Sequence, residues 1–580
     1  MRDASAPLSM TFFCFAHFNS YLFRMAIFSP SLLSKLTAPL LALGLLASCQ
    51  TKREAVDLLV TNATVYTVDS TFSKAQAFAV KNGKFVAVGP AADLKARFAA
   101  AKEVDAGGKF IYPGFYDAHC HFYRYALALP STDLVGTKSW QEVIRKLQQN
   151  RQQYPQAAWL TGRGWDQNDW PGKQFPTKDT LDQLFPDVPV LLTRVDGHAA
   201  LANQKALDLA GVTARTPISG GTITRDARGR LTGLLVDNAT RLVSSKIPEP
   251  TPAEAAPLLL QAQQQCLAVG LTSLADAGLD KTDIDQLAAL QQQGQLKLRL
   301  YAMLNPTPAN RDFYLKNGPV LTDHLTINSF KVYADGALGS RGACLVEPYA
   351  DRPRETGFLL STEQEYRALA KELAASKFQM NTHAIGDSAN RIILNIYGEA
   401  LRGQKDRRWR IEHAQVITPA DMPKFGQFGI VPSVQPTHAT SDMYWAGERL
   451  GAARLKTAYA YAELLKQYGQ LALGSDFPVE NINPLFGFHA AVARQDAKNY
   501  PTPGFQMENA ISRPDALRGM TTWAAHAGFE EQRKGQIKPG LLADFVVVET
   551  DLLTAPNEKL RDAKVLQTWI GGQQVFSVNK

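Results

Sequence analysis

The sequence predicts an α/β protein: a (β/α)8 TIM-like barrel with an insertion after strand 1, plus a small β-sandwich domain assembled from both termini. Three observations support this prediction. Short apolar runs alternate with helical patterns in the middle of the chain, strand-rich segments lie at both ends, and residues about 135–245 interrupt the alternation. Repeated strand–helix alternation favours a parallel sheet, and about eight such units favour a closed barrel.

The first residues of the chain are typical of an export signal. Lys35 precedes an apolar run of about 12 residues, which is too short to span a membrane and fits a signal-peptide core. The run ends in LASC, residues 46–49, which is similar to a bacterial lipobox and implies lipidation of Cys49. We therefore assign residues 1–48 to a lipoprotein-type signal peptide, with Met25 as an alternative start. A plain cleaved leader is the competing interpretation.

The residue after the predicted lipidation site sets the expected location. Gln50 follows Cys49, and in bacterial lipoproteins the absence of Asp there favours the outer membrane. The expectation is an exported lipoprotein that faces the periplasm and touches the membrane only through its lipid anchor.

Strand patterns near both termini predict the sandwich. Residues 56–69 and 77–89 are strand-rich, and Asn82-Gly83 is a hairpin turn signal between two apolar stretches. Residues 540–551 and 565–576 repeat this character at the other end of the chain. We assign residues 49–114 and 531–580 to the two parts of this domain.

The middle of the chain, residues 115–530, is assigned to the barrel. After the first run, which ends near residue 122, further apolar runs predict buried strands at 189–194, 271–278, 298–304, 325–336, 379–386, 410–415, 429–436 and 471–478. Helical patterns lie between them at 252–269, 281–294, 362–377, 387–403, 451–468 and 513–527. The insertion, about 135–245, is rich in Trp and Gly and is expected to lie over the mouth of the barrel.

Charge and cysteine content exclude several classes of function. The formal net charge is +8, but it is spread along the chain without a Lys/Arg run, so nucleic-acid binding gains little support. Five cysteines without CxxC spacing provide neither a disulfide framework nor a thiolate zinc site.

Polar residues end several of the predicted barrel strands, where the chemistry of such barrels gathers. His119 and His121 close the first run, and their i, i+2 spacing places both on one side of the strand, with Cys120 facing away. Further along the chain, Lys331 lies inside the run 325–336. His383, His413 and Asp476 end three later runs.

This ordered set resembles the amidohydrolase superfamily, and is most similar to its subgroup of YtcJ-like proteins and N-substituted formamide deformylases. The resemblance covers nearly the whole mature chain and rests on the blocks PGFYDAHCH, TRVDGHAALAN, KVYADGALGSR, NTHAIGDSANR, RIEHAQ and GSDFPVENINP. It implies the barrel fold, metal dependence and hydrolytic activity.

The resemblance also implies a two-metal site. One ion would be held by His119, His121 and Asp476, the other by His383 and His413, and a CO2-derived carbamate on Lys331 would bridge them. Zinc is the expected ion, and the same ligands accept Mn, Fe or Co. A hydroxide between the ions would attack the substrate, and Asp476 would pass its proton to the leaving nitrogen. An unmodified Lys331 with a single ion is the alternative.

Substrate contacts are expected from loops around the mouth. Candidates are His198, Trp165 and Asp166 in the insertion, Arg341 after the Lys331 strand, and His438 after the seventh strand. The alternatives are a hydrogen-bonded loop histidine, ordinary packing for the tryptophan and a structural ion pair for the arginine.

The expected activity is hydrolysis of a carbon–nitrogen bond other than a peptide bond, in a small-molecule N-formyl or N-acyl amine. The same site could act on esters, lactones or cyclic imides. A deaminase and a non-catalytic surface lipoprotein are less favoured alternatives. A homodimer is one expectation for an oligomeric state that the sequence leaves open.

Overall fold

The computed structural model describes residues 53–195, 197–219 and 221–578, which belong to one compact unit, Arg53–Lys580. The predicted signal peptide and Cys49 lie outside the described residues. Within the described ranges no helix has the length and apolar character needed to cross a membrane.

In this part of the chain, eight parallel strands form the nearly closed barrel that the sequence predicts. In spatial and chain order they are β1 Phe115–Cys120, β2 Leu271–Leu279, β3 Arg299–Leu304, β4 Leu325–Tyr333, β5 Gln379–Ala384, β6 Arg410–His413, β7 Val431–Val434 and β8 Ala472–Leu473. The segment after β8 completes the ring by backbone hydrogen bonds to β1. The Asp476 N–H donates to the His119 carbonyl at 2.7 Å, and the His121 N–H donates to the Phe477 carbonyl at 2.9 Å.

Helices cover the barrel, and several carry the sequence signals that start a helix. Thr251 with Glu254 and Thr362 with Glu365 form capping boxes. The barrel-associated helices are Phe122–Ala128, Pro252–Ala268, Lys281–Gln292, Pro308–Asn317, Glu363–Ala374, Asp387–Leu401, Lys424–Phe428, Pro436–Asp442, Ala446–Leu455, Tyr461–Tyr468, Pro484–Ala493, Arg513–Gly519 and Thr522–Ala527.

Two antiparallel-rich sheets form the predicted sandwich. One contains Glu54–Thr61, Ala77–Lys81, Lys84–Gly89 and Phe98–Asp105; the other contains Thr64–Tyr66, Lys74–Ala75, Phe110–Pro113, Phe545–Val548, Val565–Ile570 and Gln573–Ser577. Phe110–Pro113 pairs with Phe545–Val548, which joins the two ends of the chain in one sheet. Both residues of the Asn82-Gly83 turn have positive φ, as this hairpin type requires. Phe78, Phe85, Phe545 and Trp569 are buried between the sheets.

The insertion folds around a sheet of its own. Its strands are Thr132–Asp133, Leu160–Trp165, Val190–Arg194, Ala199–Ala202, Gly221–Arg225 and Leu231–Asp237, and its helices are Trp140–Gln153, Asp179–Leu184, Gln204–Leu209 and Asn238–Ser244. The apolar run at 189–194 is therefore a strand of the insertion, not of the barrel, because it pairs with Leu160–Trp165 and Ala199–Ala202.

Candidate metal centre

The two histidines at the end of β1 converge on the carboxylate that follows β8. The Nε2 atom of His121 lies 3.2 Å from Asp476 Oδ1, and that of His119 lies 3.6 Å from the same oxygen. Cys120 lies between them in sequence, and its buried thiol donates to the Ala275 carbonyl of β2 instead. The strand alternation therefore places these residues as the sequence predicts.

Each of three histidines is oriented by a hydrogen bond from its other ring nitrogen. Such contacts fix the ring and leave Nε2 available, as is usual for metal-ligating histidines. The Nδ1 pairs are His119 with Glu412 Oε2 at 2.5 Å, His121 with the Ala277 carbonyl at 2.9 Å, and His413 with Gln435 Oε1 at 2.7 Å.

Asp476 belongs to two groups of possible metal donors. It joins His119 and His121 in one group and His413 and His438 in the other, and the donor atoms within each group lie within 4.8 Å of one another. Burial opposes ionisation of Asp476, but favourable interactions with the surrounding imidazoles, that of His121 first, hold its pKa well below its usual range. Asp476 is thus ionised at neutral pH.

Several buried atoms at this centre lack a partner among the described residues. They are His383 Nε2, His438 Nε2 and Asp476 Oδ1. Unpaired buried polar atoms are costly unless something satisfies them. Ligand bonds of 2.0–2.2 Å in a tetrahedral site imply donor separations of roughly 3.4 Å. The measured separations of 3.2 and 3.6 Å bracket that value, so the donor set fits a divalent ion.

Protonation also favours metal binding. Burial, together with the nearby Lys331 charge, lowers the pKa of His119 to about 4 and that of His383 to about 3. Both imidazoles are therefore neutral at pH 7, which is the form that ligates a metal. The His383 and His413 rings lie 4.4 Å apart, so the predicted second pair of ligands is also brought together.

Lys331 on β4 is completely buried, and its Nζ lies 3.0 Å from His119 Nε2. Burial lowers its pKa to about 8, which disfavours the ammonium form. The nearby carboxylate of Asp335 accepts hydrogen bonds from the backbone of Cys344, Ile385 and Gly386.

Among the expected substrate contacts, the structure brings only His438 to the described donor cluster. It lies on the helix Pro436–Asp442 after β7, with Nε2 3.8 Å from Asp476 Oδ2. Its ring stacks on that of His413 with centroids 5.9 Å apart.

The Arg341 side chain is occupied by an ion pair. Its Nη2 lies 2.5 Å from Asp351 Oδ2, and Arg449 contacts the same oxygen. The structure therefore corrects the expectation of a carboxylate-binding role, because the guanidinium already has its carboxylate.

The three candidates in the insertion have partners there. Trp165 is fully buried in the insertion core and donates to the Leu192 carbonyl at 2.8 Å, so the structure gives it a packing role instead of a place in a pocket wall. Asp166 pairs with Arg194 at 2.5 Å. His198 is exposed, with Nδ1 3.0 Å from Asp237 Oδ1.

The sequence reasoning missed the buried residues that support the centre. Glu412 holds His119, and Arg410 holds Glu412 through an ion pair at 2.7 Å. Asp117 accepts hydrogen bonds from the Ser475 hydroxyl and backbone and from the His119 N–H. The signal was available, because Arg410 and Glu412 are two charged residues at i, i+2 spacing in a segment predicted to be a buried strand.

Comparison with known proteins agrees with this geometry. The family model described as "Amidohydrolase family" matches residues 102–576. Three relatives are similar over most of their length: protein LONG AFTER FAR-RED 3 of Arabidopsis thaliana (35% identity, 90% of this chain and 91% of the relative), the YtcJ protein of Bacillus subtilis (30%, 88% and 98%) and the N-substituted formamide deformylase of Arthrobacter pascens (27%, 89% and 97%). A solved structure of an uncharacterized metal-dependent hydrolase from Pyrococcus horikoshii superposes with a TM-score of 0.74 at 26% identity, over 86% of this chain and 99% of that one.

Proposed function

Since this chain belongs to the amidohydrolase family, we propose that it hydrolyses a non-peptide C–N bond in a small-molecule N-formyl or N-acyl amine. One observation carries the proposal: neutral imidazoles and an ionised carboxylate, with unpaired donor atoms, converge at the carboxyl ends of the barrel strands. The relative named as a formamide deformylase supports the choice of bond.

Two divalent ions, with zinc expected, are proposed to bind at this cluster. His119, His121 and Asp476 would hold one ion. His383 and His413 would hold the other, and His438 lies next to His413. Ions bound there would supply Lewis acidity and a more acidic water.

The chain's own residues provide the proton path. Asp476 is ionised and lies among the donors, so it can accept the proton of the attacking water and release it to the leaving nitrogen. Its carboxylate position is fixed because the backbone on either side of it is bonded to β1.

Lys331 is proposed to carry a carbamate. Its amine, once neutral, would add to the carbon of CO2 with loss of one proton, which converts a buried base into an anion suited to bridging two ions. Complete burial among histidines supports this proposal, because an ammonium there would oppose metal binding.

A substrate screen with metal analysis tests the function. The metal-loaded protein is assayed against N-formyl amines, N-acyl amino acids, cyclic imides, esters and lactones. Turnover of formyl or acyl amines with two ions per chain is the expected result. Turnover of only esters and lactones would overturn the C–N assignment, and one ion per chain would favour a deaminase.

Export and lipid anchoring are proposed from the sequence alone, as is a homodimer. In a bacterial host, Cys49→Ala should move the protein from the membrane fraction to the soluble fraction, because the acyl anchor is lost. Membrane fractionation and labelling with a radioactive fatty acid measure this. Unchanged membrane association and unchanged labelling would contradict the lipoprotein assignment.

A further inference from the structure

Arg124 lies close to the donor cluster in the fold and has no role in the metal centre described above. It occupies the first turn of the helix Phe122–Ala128, three residues after His121. The helix is fixed at the end of β2, because the Tyr123 N–H donates to Asp276 Oδ2 at 2.9 Å. Arg124 is thereby placed at the same end of the barrel as the donors.

The Arg124 guanidinium is exposed and unpaired within the described part of the chain. No described carboxylate lies within ion-pair distance of it, and no described acceptor lies within hydrogen-bond distance. Asp276 is buried beneath the helix and is bonded to the Tyr123 backbone instead. Arg124 thus differs from Arg341, which is bound to Asp351 through two nitrogens.

The start of this helix adjoins the donor cluster directly. His121 is the residue that precedes the first helical turn, and its Nε2 lies 3.2 Å from Asp476 Oδ1. Tyr333 ends β4, and its ring lies 5.6 Å from that of His383. A ligand at the donors would therefore lie beside the first turn of the helix that carries Arg124.

We propose that Arg124 binds a carboxylate of the substrate, which makes the substrate class N-formyl or N-acyl amino acids. The proposal rests on the proposed function and narrows it. An unpaired guanidinium can accept a carboxylate through two parallel hydrogen bonds, a geometry that lysine cannot reproduce. The scissile carbonyl would lie at the donor cluster, and the carboxylate on the next carbon would extend toward the helix Phe122–Ala128.

Two substrates that differ only in the carboxylate test the inference. N-formylphenylalanine and N-formylphenethylamine are compared with the metal-loaded wild type and with Arg124→Met, which keeps an unbranched apolar stem but removes the charge and the hydrogen-bond donors. The variant should lose about 10- to 100-fold in kcat/KM on N-formylphenylalanine, mainly through KM, and little on the amine. Arg124→Lys should fall between the two.

Two further variants serve as controls. Arg145→Met removes one positive charge from the exposed helix Trp140–Gln153, where Arg145 faces Glu142, so it reports any effect of net charge alone. Arg341→Met tests the role that the sequence suggested. Neither control should change the preference between the two substrates.

The outcomes separate this inference from the proposed function. An equal loss on both substrates in Arg124→Met, or wild type that does not distinguish them, would overturn the role of Arg124 while leaving the hydrolase intact. If neither substrate turns over, deformylation itself fails. Calorimetric binding of phenylalanine and phenethylamine then decides the matter: loss of phenylalanine binding in Arg124→Met supports the carboxylate site, and any other pattern overturns it.

Discussion

At the scale of single residues, the centre depends on a buried relay of contacts from Arg410 through Glu412 to His119. Burial opposes ionisation of Glu412, but Arg410 and His119 hold its pKa well below its usual range. The carboxylate is thus ionised and accepts a hydrogen bond from His119 Nδ1–H, which leaves the lone pair of Nε2 available to the proposed ion. All three side chains are buried, so their mutual positions are strongly fixed.

Glu412→Gln should lower zinc affinity about 10- to 100-fold, since carboxylate partners of ligating histidines contribute that much. The change is nearly isosteric and removes only the charge. Competition with a chelator measures the affinity. Glu530→Gln is the control, because this buried carboxylate contacts Tyr116 and Thr326 instead of a histidine. Equal affinities for both variants and wild type would contradict the assigned role of Glu412.

His121→Ala should remove bound metal and activity, whereas Cys120→Ala should keep both. The two residues are adjacent, but the His121 ring faces Asp476 and the Cys120 thiol faces the Ala275 carbonyl. Elemental analysis of the purified variants measures the difference. Metal loss in Cys120→Ala at unchanged thermal stability would show that the thiol is a ligand.

At the scale of elements, the strand ends were the predictable part of the centre. The periodicity of the apolar runs, and the polar residues in them or at their ends, were enough to identify the candidate ligands. These are His119, His121, Lys331, His383, His413 and Asp476. The contacts that each side chain makes were not predictable from the sequence. The ion pair of Arg341 depends on the position of Asp351, and the hydrogen bond of Trp165 depends on the position of the Leu192 carbonyl. The run 189–194 was predicted as a barrel strand because an apolar strand has the same sequence pattern in the barrel sheet and in the sheet of the insertion.

The closure between β8 and β1 depends on a glycine. A Cβ on Gly474 would lie 2.5 Å from the His119 backbone nitrogen and 2.9 Å from Asp117 Oδ1. Gly474→Ala should therefore separate the strands, lower the melting temperature and reduce metal content. Gly487→Ala is the matched control, since a Cβ there meets nothing within 4 Å and should stabilise its helix by about 1 kcal/mol. Thermal denaturation followed by circular dichroism compares them; equal melting temperatures would refute the clash.

At the scale of the whole molecule, a buried ion pair connects the barrel to the sandwich. Arg299 of β3 contacts Asp544, which precedes the strand Phe545–Val548, at 2.6 Å, and the same carboxylate accepts the Gly571 N–H at 2.8 Å. The pair thus connects the barrel wall, the strand Phe545–Val548 and the turn of the final hairpin at one point. Burial opposes ionisation, but Arg299 lowers the pKa of Asp544 below its usual value.

This lowered pKa predicts the direction of a pH effect. A carboxyl with a depressed folded-state pKa stabilises the fold above its unfolded value, about 3.9, and that contribution disappears as pH falls through the folded value. Asp544→Asn should cost about 3–5 kcal/mol at pH 7, because it leaves Arg299 buried without its partner. The difference in free energy of unfolding from wild type should narrow below pH 4.

Urea denaturation at pH 7 and at several acidic values measures that difference. Gln567→Glu, at a position on the same sheet that does not contact Arg299, controls for the general effect of a carboxylate. A difference between Asp544→Asn and wild type that stays constant across the acidic range would contradict the assigned linkage.

The pairing of Phe110–Pro113 with Phe545–Val548 also sets the order of events during synthesis. The first strands leave the ribosome more than 400 residues before the strand that completes their sheet. Their apolar face must stay uncovered, or be sheltered by a chaperone, until translation is almost finished. The sheet that contains both ends of the chain can therefore be completed only when almost all of the polypeptide has been made.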